Sequence, residues 1–196
     1  PSTGPAQGGT RVAVETSVEH GLRGAVRCLF DHQYGHPDGR VHNKTAVVCT
    51  TPAYHTLQTI QVPVYLQQHS TSAARAGAAR FEYAPEMRVL SVHPSTGEAA
   101  GGSTVEVHGA AFLLSGMHCA FGNASVLVRA QVLSSSLLIC IAPARAVGDV
   151  SVEVSANSGA DLTHDGVVYR YLPRCEVVSM QPSFGPEAGG TVVSVV

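Results

Sequence analysis

The chain has 196 residues, of which 44% are hydrophobic and only 13% are charged, and its formal net charge is −2. The 12 basic residues are scattered, whereas binding to nucleic acid needs a concentrated positive face, so we exclude nucleic acid as a partner. No apolar run approaches the ~20 residues of a membrane span, and no signal-peptide pattern is present. We therefore expect no direct membrane insertion of this segment.

One motif organises the whole chain. It reads Pro-x-x-Gly, then Gly-Gly, then Val-x-Val, and it begins at Pro1, Pro94 and Pro182. The repeat of about 90 residues has the size of an immunoglobulin-like β-sandwich, which can bury its own core. We predict an all-β chain of tandem sandwiches with these boundaries: unit 1 (residues 1–83, first strand missing), unit 2 (residues 84–171) and unit 3 (residues 172–196, the N-terminal part of a third domain). Because the chain begins and ends inside the repeat, we expect it to be a piece of a longer protein.

In unit 1, alternating or continuous apolar runs between turn residues predict short strands. They lie at residues 11–15, 27–30, 46–50, 60–65 and 80–83. Residues 31–43 and 67–79, which are rich in Gly, His, Ser and Ala, are predicted as loops. Binding sites on sandwiches usually lie in such loops.

Unit 2 follows the same order and shows no helical period. Its predicted strands lie at residues 88–92, 104–108, 117–121, 125–132, 137–141, 150–154 and 167–172. The units join without a linker, since Pro85 and Pro173 stand almost directly after the last strand of units 1 and 2. Proline fixes φ and stiffens each junction, which favours a rod over a flexible string. The segment at 175–180 corresponds to the strand that unit 1 lacks.

The cysteines repeat with the units. Cys28 and Cys49 are 21 residues apart, and so are Cys119 and Cys140. This repetition predicts one local disulfide per unit and hence an oxidising compartment. The alternative is buried free thiols in a cytosolic protein. Cys175 has no partner in this pattern, so it bonds to a cysteine outside the chain, bonds to a neighbouring chain, or stays free.

These motifs resemble the IPT/TIG family, immunoglobulin-like domains shared by plexins, transcription factors and large cell-surface proteins. The resemblance is carried by the following residues of unit 2: the Pro-Gly-Gly motif, Gly109 and Phe112, Cys119-Ala120-Phe121-Gly122, Cys140-x-x-Pro143, and Tyr169-x-Tyr171. It extends over nearly the whole chain, although unit 1 departs from it at residues 16–19, where the Gly and Phe are missing. The resemblance implies an extracellular array, because the DNA-binding members carry basic loops that this chain does not show.

Two N-glycosylation sequons, at Asn43 and Asn123, fall in predicted loops, so we expect glycans on both asparagines. A metal site is a weaker alternative. The densest histidine group is His32, His36 and His42 with Asp31 and Asp38, but its Gly and Pro residues indicate a solvated loop instead of a helical zinc-binding face. We expect no metal and no cofactor.

Catalytic motifs are missing from the sequence: it has no nucleophile elbow, phosphate loop or paired carboxylates, so we expect no enzyme. The leading interpretation is an extracellular or cell-surface structural or adhesive protein of the secretory pathway, in which the array forms a rod, fibre or filament. Its expected partners are adjacent repeats or copies of itself, placed end to end by one continuous chain or by strand exchange. The alternatives are a segment of a plexin-like, ligand-binding receptor ectodomain and the dimerisation domain of a transcription factor, which paired disulfides would exclude.

Overall fold

The computed structural model describes residues 2–15, 25–31, 33–34, 39–56, 58–68, 74–123 and 125–196. All the regular elements in these ranges are β-strands, which confirms the predicted all-β class. They are β1 (Thr3–Pro5), β2 (Arg11–Glu15), β3 (Ala25–Phe30), β4 (Gln33–Tyr34), β5 (Gly39–Val41), β6 (Ala46–Thr50), β7 (Ile60–Gln68), β8 (Ala74–Ala84), β9 (Arg88–His93), β10 (Thr96–Glu98), β11 (Thr104–Ala110), β12 (His118–Phe121), β13 (Leu127–Arg129), β14 (Gln131–Ser134), β15 (Leu137–Ile141), β16 (Gly148–Ser155), β17 (Val167–Leu172), β18 (Met180–Gln181) and β19 (Ser194–Val195).

Unit 2 is a sandwich of two sheets, with strand orders β10-β17-β16-β12-β13 and β14-β15-β11-β9. Alternation along β11 places Val105 and Val107 inside, both fully buried, and their neighbours outside. The predicted single strand over residues 125–132 is wrong. The chain changes sheet at the buried Ala130, so β13 pairs with β12 and β14 pairs with β15.

Unit 1 has a separate core, but its strands form one continuous ladder, β1-β8-β7-β3-β5-β6-β2. The link is β5, where Arg40 stands opposite Ala25 of β3 on one side and opposite Val48 of β6 on the other. In unit 1 the single strand β5 therefore pairs with both β3 and β6, whereas in unit 2 the equivalent pairings are made by two strands, β13 with β12 and β14 with β15.

The motif that starts units 1 and 2 contains a short strand that the sequence pattern did not predict. β1 pairs in parallel with β8, and β10 pairs in parallel with β17. Gly4 and Gly97 stand at the centre of these strands, where a Cβ atom would collide with the side chain six residues later, Thr10 or Ser103. The Gly-Gly pairs that follow are turns as predicted, with φ of 78° and 86° in unit 1 and 77° and 85° in unit 2.

The loops predicted for residues 31–43 and 67–79 are also wrong in part, because β4 and β5 lie in the first and the ends of β7 and β8 lie in the second. β7 runs to Gln68 and β8 begins at Ala74, so the two strands form a long hairpin. The Ala- and Ser-rich composition has little intrinsic strand preference, but pairing with a neighbouring strand overrides it.

In unit 3, β18 and β19 pair at two positions, in the register of the first strand pair of unit 2, and the predicted strand over residues 175–180 is wrong except at Met180. Met180 stands opposite Val195, as Val92 stands opposite Val107 at the equivalent positions of the motif. Residues 172–196 are exposed throughout.

Candidate functional site at the junction of units 1 and 2

The connection between the two cores is short. β8 ends at Ala84, which is buried, and β9 begins at Arg88, so three residues separate the last strand of unit 1 from the first strand of unit 2. One of them is Pro85, whose fixed φ reduces the freedom of this connection. The geometry of the junction therefore depends on the contacts beside this connection.

The loop between β16 and β17, residues 156–166, is held by a buried carboxylate. Glu153 is only 6% exposed, and its Oε2 accepts hydrogen bonds from the Thr163 hydroxyl at 2.7 Å and the Asp165 amide at 3.2 Å. Its Oε1 accepts a third from the Gly166 amide at 3.1 Å. A buried carboxylate with these donors is satisfied, and it fixes the path of the loop relative to the sheet.

This loop contacts unit 1 through two side chains. Asp161 Oδ2 accepts a hydrogen bond from the Thr10 hydroxyl at 2.6 Å, and Asn157 Nδ2 donates to the Thr3 carbonyl at 2.9 Å. The two loop residues also bind each other, because Asn157 Nδ2 lies 2.7 Å from Asp161 Oδ2 and the Asp161 amide donates to Asn157 Oδ1 at 2.9 Å. We call Thr3, Thr10, Asn157 and Asp161 the junction clamp.

The same loop also binds the first strand of unit 2. Asp165 Oδ2 accepts a hydrogen bond from the Val89 amide at 2.7 Å, and this bond fixes the second residue of β9 to the loop. Beside the clamp lies a cleft of about 280 Å³, lined from both units by residues that include Gln7, Arg88 and His164. The described residues in this cleft hold no group of histidine, cysteine or carboxylate side chains placed for a metal. The geometry is that of a joint between sandwiches.

Both predicted cystine pairs are present as disulfide bonds. Cys28 on β3 is bonded to Cys49 on β6, with Cα atoms 6.1 Å apart, and Cys119 on β12 is bonded to Cys140 on β15, with Cα atoms 6.5 Å apart. All four are at most 1% exposed. In unit 2 the bond joins the two sheets through the core. Cys175 is an exposed free thiol in this structure.

Both sequon asparagines are exposed at turns. Asn43 Oδ1 accepts hydrogen bonds from the Thr45 amide at 2.8 Å and the Thr45 hydroxyl at 3.1 Å. Asn123 Oδ1 accepts one from the Ser125 amide at 3.2 Å. Both side chains are accessible to a glycan, and glycosylation itself remains a prediction.

The alternative metal site is not assembled by the described residues. Its members His32, His36 and Asp38 lie outside those ranges, as do residues 16–19, where unit 1 departs from the family motif. In the described part, Asp31 accepts a hydrogen bond from the Tyr54 hydroxyl at 3.3 Å, and no metal-binding group is found.

The aromatic clusters of the two cores are equivalent but differ in their polar contacts. The Tyr83 hydroxyl donates to the Pro52 carbonyl at 3.0 Å, and the ring stacks on Tyr54 with centroids 4.9 Å apart. The hydroxyls of Tyr169 and Tyr171 are buried and make no hydrogen bond within the described structure. Burial, and then the neighbouring Tyr169, raises the pKa of Tyr171 to about 12, while burial and then Tyr54 raise the pKa of Tyr83.

The sequence reading missed the junction clamp. The sequence pattern indicated only a turn at Asn157-Ser158-Gly159. The one available signal was the hydroxyl residue that follows each Gly-Gly pair, Thr10 in unit 1 and Ser103 in unit 2. Nothing in the linear pattern connects Thr10 to a loop some 150 residues later. Among the described residues no helix is long and apolar enough to cross a membrane.

The two-sheet sandwich, the disulfide between its sheets and the tight joint at its end define unit 2 as an immunoglobulin-like domain. The family model of the IPT/TIG domain matches residues 87–171. The match does not extend over units 1 and 3, so the tandem arrangement remains a prediction. No curated protein matches the chain in sequence.

Solved structures resemble the chain over a longer range. The full extracellular region of plexin A4, domains 1 to 10, is 19% identical with a TM-score of 0.53, and the match covers 98% of this chain and 18% of that chain. A second structure of the same region, domains 1 to 8, is 20% identical with a TM-score of 0.47 and covers 88% and 17%. The chain thus spans less than a fifth of the plexin A4 chains. At this identity the first likeness shows the fold alone.

Proposed function

We propose that this chain is a non-catalytic segment of an extracellular or cell-surface array of immunoglobulin-like units, and that it acts as a stiff structural or adhesive rod. The observation that carries the proposal is the junction clamp, which adds contacts between units to a connection of only three residues. A flexible chain of domains needs no such contacts, whereas a rod does.

The two disulfides support the extracellular placement. Each lies inside a separate core and closes a local loop, and such bonds persist in oxidising compartments. They argue against the transcription-factor alternative, which belongs to a reducing compartment. The exposed sequons at Asn43 and Asn123 agree with passage through the secretory pathway.

Solution scattering from the full chain tests the rod. We expect one narrow distribution of inter-unit distances for the native chain and a broader one for Asp161→Ala, because the Thr10 hydroxyl, which is 1% exposed, loses its charged acceptor. A hydrogen bond to a charged group contributes about 1.5–3 kcal/mol, or roughly a 10- to 150-fold change in the ratio of docked to undocked junctions. The matched control is Asp149→Ala, which removes the same charge from β16 at a site bonded to Arg170. Identical scattering from the native chain and Asp161→Ala would refute the proposal.

We further propose that the partners of this segment are adjacent units, placed end to end. The outer edge of β2 is unpaired among the described strands, whereas its equivalent β11 is covered by β9. Because Thr10 O faces β6, the backbone groups of Ala13 and Glu15 face this open edge. Val12 and Val14 are each 7% exposed here, while Val105 and Val107 are fully buried. A strand equivalent to β9 from the adjacent unit completes the sheet.

Ala13→Pro tests this edge, because it removes an outward N–H group from an exposed position that edge strands tolerate. We expect the variant to fold and to lose end-to-end association, seen as a loss of species larger than 20.3 kDa on native gels. Association that persists in Ala13→Pro would exclude the β2 edge. Electrophoresis under denaturing and reducing conditions then shows whether units are separate chains or one polypeptide.

A rod suits both a surface fibre and the stalk of a receptor. The alternative, a receptor ectodomain, rests on the plexin A4 likeness, which concerns the fold. A transmembrane span and cytoplasmic domain in the same polypeptide would favour the receptor, and further repeats alone would favour the fibre.

A further inference from the structure

Units 1 and 2 carry the same arrangement of groups at the edge formed by their short parallel strands. In unit 1, Thr10 Oγ1 and the Phe81 ring crowd the position that a Cβ on Gly4 would occupy. In unit 2, Ser103 Oγ and the Tyr169 hydroxyl crowd the same position beside Gly97. The pairing of β10 with β17 repeats that of β1 with β8, so the Thr96 carbonyl is placed as the Thr3 carbonyl is.

These two edges differ in what covers them. The edge of unit 1 receives Asn157 and Asp161, and Thr10 is consequently 1% exposed. On unit 2, Ser103 is half-buried, and the residues of β10 are each more exposed than their equivalents in β1. The edge of unit 2 thus has the same groups as the edge of unit 1, but it lacks the equivalent covering contacts in the described structure.

A second observation points to the same place. The Tyr169 hydroxyl, in a side chain that is 0% exposed, is buried beside Gly97 and Ser103 without a hydrogen-bond partner in the described structure. A buried hydroxyl without a partner is costly, and unit 1 avoids that cost by having Phe81 at this position. The extra hydroxyl makes the edge of unit 2 richer in donors than that of unit 1.

We propose that the edge formed by Thr96 and Ser103 binds the β16–β17-type loop of a following sandwich in the same polypeptide. This inference rests on the proposed rod and names the contact that extends it. The loop must present a carboxylate to accept from the Ser103 hydroxyl, and a side-chain amide to donate to the Thr96 carbonyl, as Asp161 and Asn157 do for unit 1. A cationic loop cannot serve, because ammonium and guanidinium groups accept no hydrogen bond.

Unit 3 supplies the direction of approach. β18 and β19 have the register of β9 and β11, so a sandwich built on them begins after β17 as unit 2 begins after β8. Its β16–β17-type loop then reaches Thr96 and Ser103 along the path that residues 156–166 take to Thr3 and Thr10.

A three-unit chain tests the proposal. A second copy of residues 84–171 replaces residues 172–196, so that Ala84 of the added copy follows Tyr171 as it follows Tyr83 in the native chain. Dyes on the middle and added units report the docked fraction by single-molecule energy transfer. We expect Ser103→Ala in the middle unit, or Asp161→Ala in the added unit, to lower the docked-to-undocked ratio about tenfold. The double variant should lose no more than either single variant.

The clamp already seen is the internal control. With the dyes placed on unit 1 and the middle unit instead, Thr10→Val in unit 1 and Asp161→Ala in the middle unit must show the same non-additive loss of docking. If they do, and the Ser103 and Asp161 variants give additive losses or no loss of docking, the inference is overturned and the proposed rod is retained. If the control variants also give no loss of docking, the proposed rod itself is refuted. Docking that depends on protein concentration would place the loop on a separate chain and overturn the claim of one polypeptide.

Discussion

Removal of one disulfide at a time should separate the stabilities of the two units. The perturbation is a pair of double variants, Cys28→Ala/Cys49→Ala and Cys119→Ala/Cys140→Ala. Each bond spans a sequence separation of 21 residues. Constraint of a loop of that length in the unfolded chain contributes about 3 kcal/mol. For a domain of this size, 1 kcal/mol corresponds to about 4–8 °C, so each loss should lower the melting temperature of its own unit by roughly 12–24 °C.

Calorimetry under non-oxidising conditions measures the effect. The two buried clusters share no residue, so we expect two transitions, of which only the one belonging to the altered unit moves. The melting temperature of unit 1 should fall further, because the outer edge of β2 is unpaired among the described strands and Val12 and Val14 are less completely buried than their equivalents. Native protein reduced without substitution separates the loss of the bond from the change in side-chain volume. If both transitions moved together, or if neither moved by more than a few degrees, the assignment of one local bond to each independent core would be refuted.

Three further predictions concern single side chains. Tyr83→Phe should lower the free energy of unfolding by about 1 kcal/mol, because the Pro52 carbonyl loses its donor, whereas Tyr171→Phe should be neutral or stabilising, because its hydroxyl has no hydrogen-bond partner among the described residues; urea titration measures both. Since folding raises the pKa of Tyr171 from 10.0 to about 12, this phenol leaves the pH dependence of stability unchanged below pH 10 and lowers stability as the pH rises from 10 towards 12; in alkaline melts the native protein should lose more stability over this range than Tyr171→Phe, and equal losses would contradict this. In material made through a secretory pathway, peptide mass spectrometry should find glycans on Asn43 and Asn123, and two bare asparagines would count against that route.

The sequence predicted the strands whose pattern is local. β2, β6, β15 and β17 have the predicted bounds, because their apolar residues alternate or run continuously between turn residues. β1 and β10 were missed because three residues around a glycine show no pattern, and their pairing partners lie some 75–80 residues further along the chain. The break at Ala130 was missed because β13 and β14 together read as one alternating strand.

Repetition made the cystine pairs predictable from the sequence. The junction contacts could not be predicted, because they do not repeat. Each cystine pair recurs at the same spacing in both units, so the sequence itself supplies the comparison. Asn157 and Asp161 have no counterpart in unit 1 at the same spacing, and their partner Thr10 is distant in sequence. Only the fold, through the loop that Glu153 holds, brings them together.

The parallel pairing of the first short strand with the last strand of each unit determines how the protein carries tension. A pull on the two ends of the chain first loads the pairing of β9 with β11 and then drags β10 and β17 in opposite directions along their own axes. The hydrogen bonds from Arg170 N to Ser95 O and from Ala99 N to Leu172 O are then loaded at the same moment and cannot open one after another. If unit 2 unfolds under tension, the bond between Cys119 and Cys140 prevents the chain between them from extending by about 70 Å. We therefore expect unit 2 to resist tension through this parallel pairing and, once the pairing opens, to lengthen by only a limited amount.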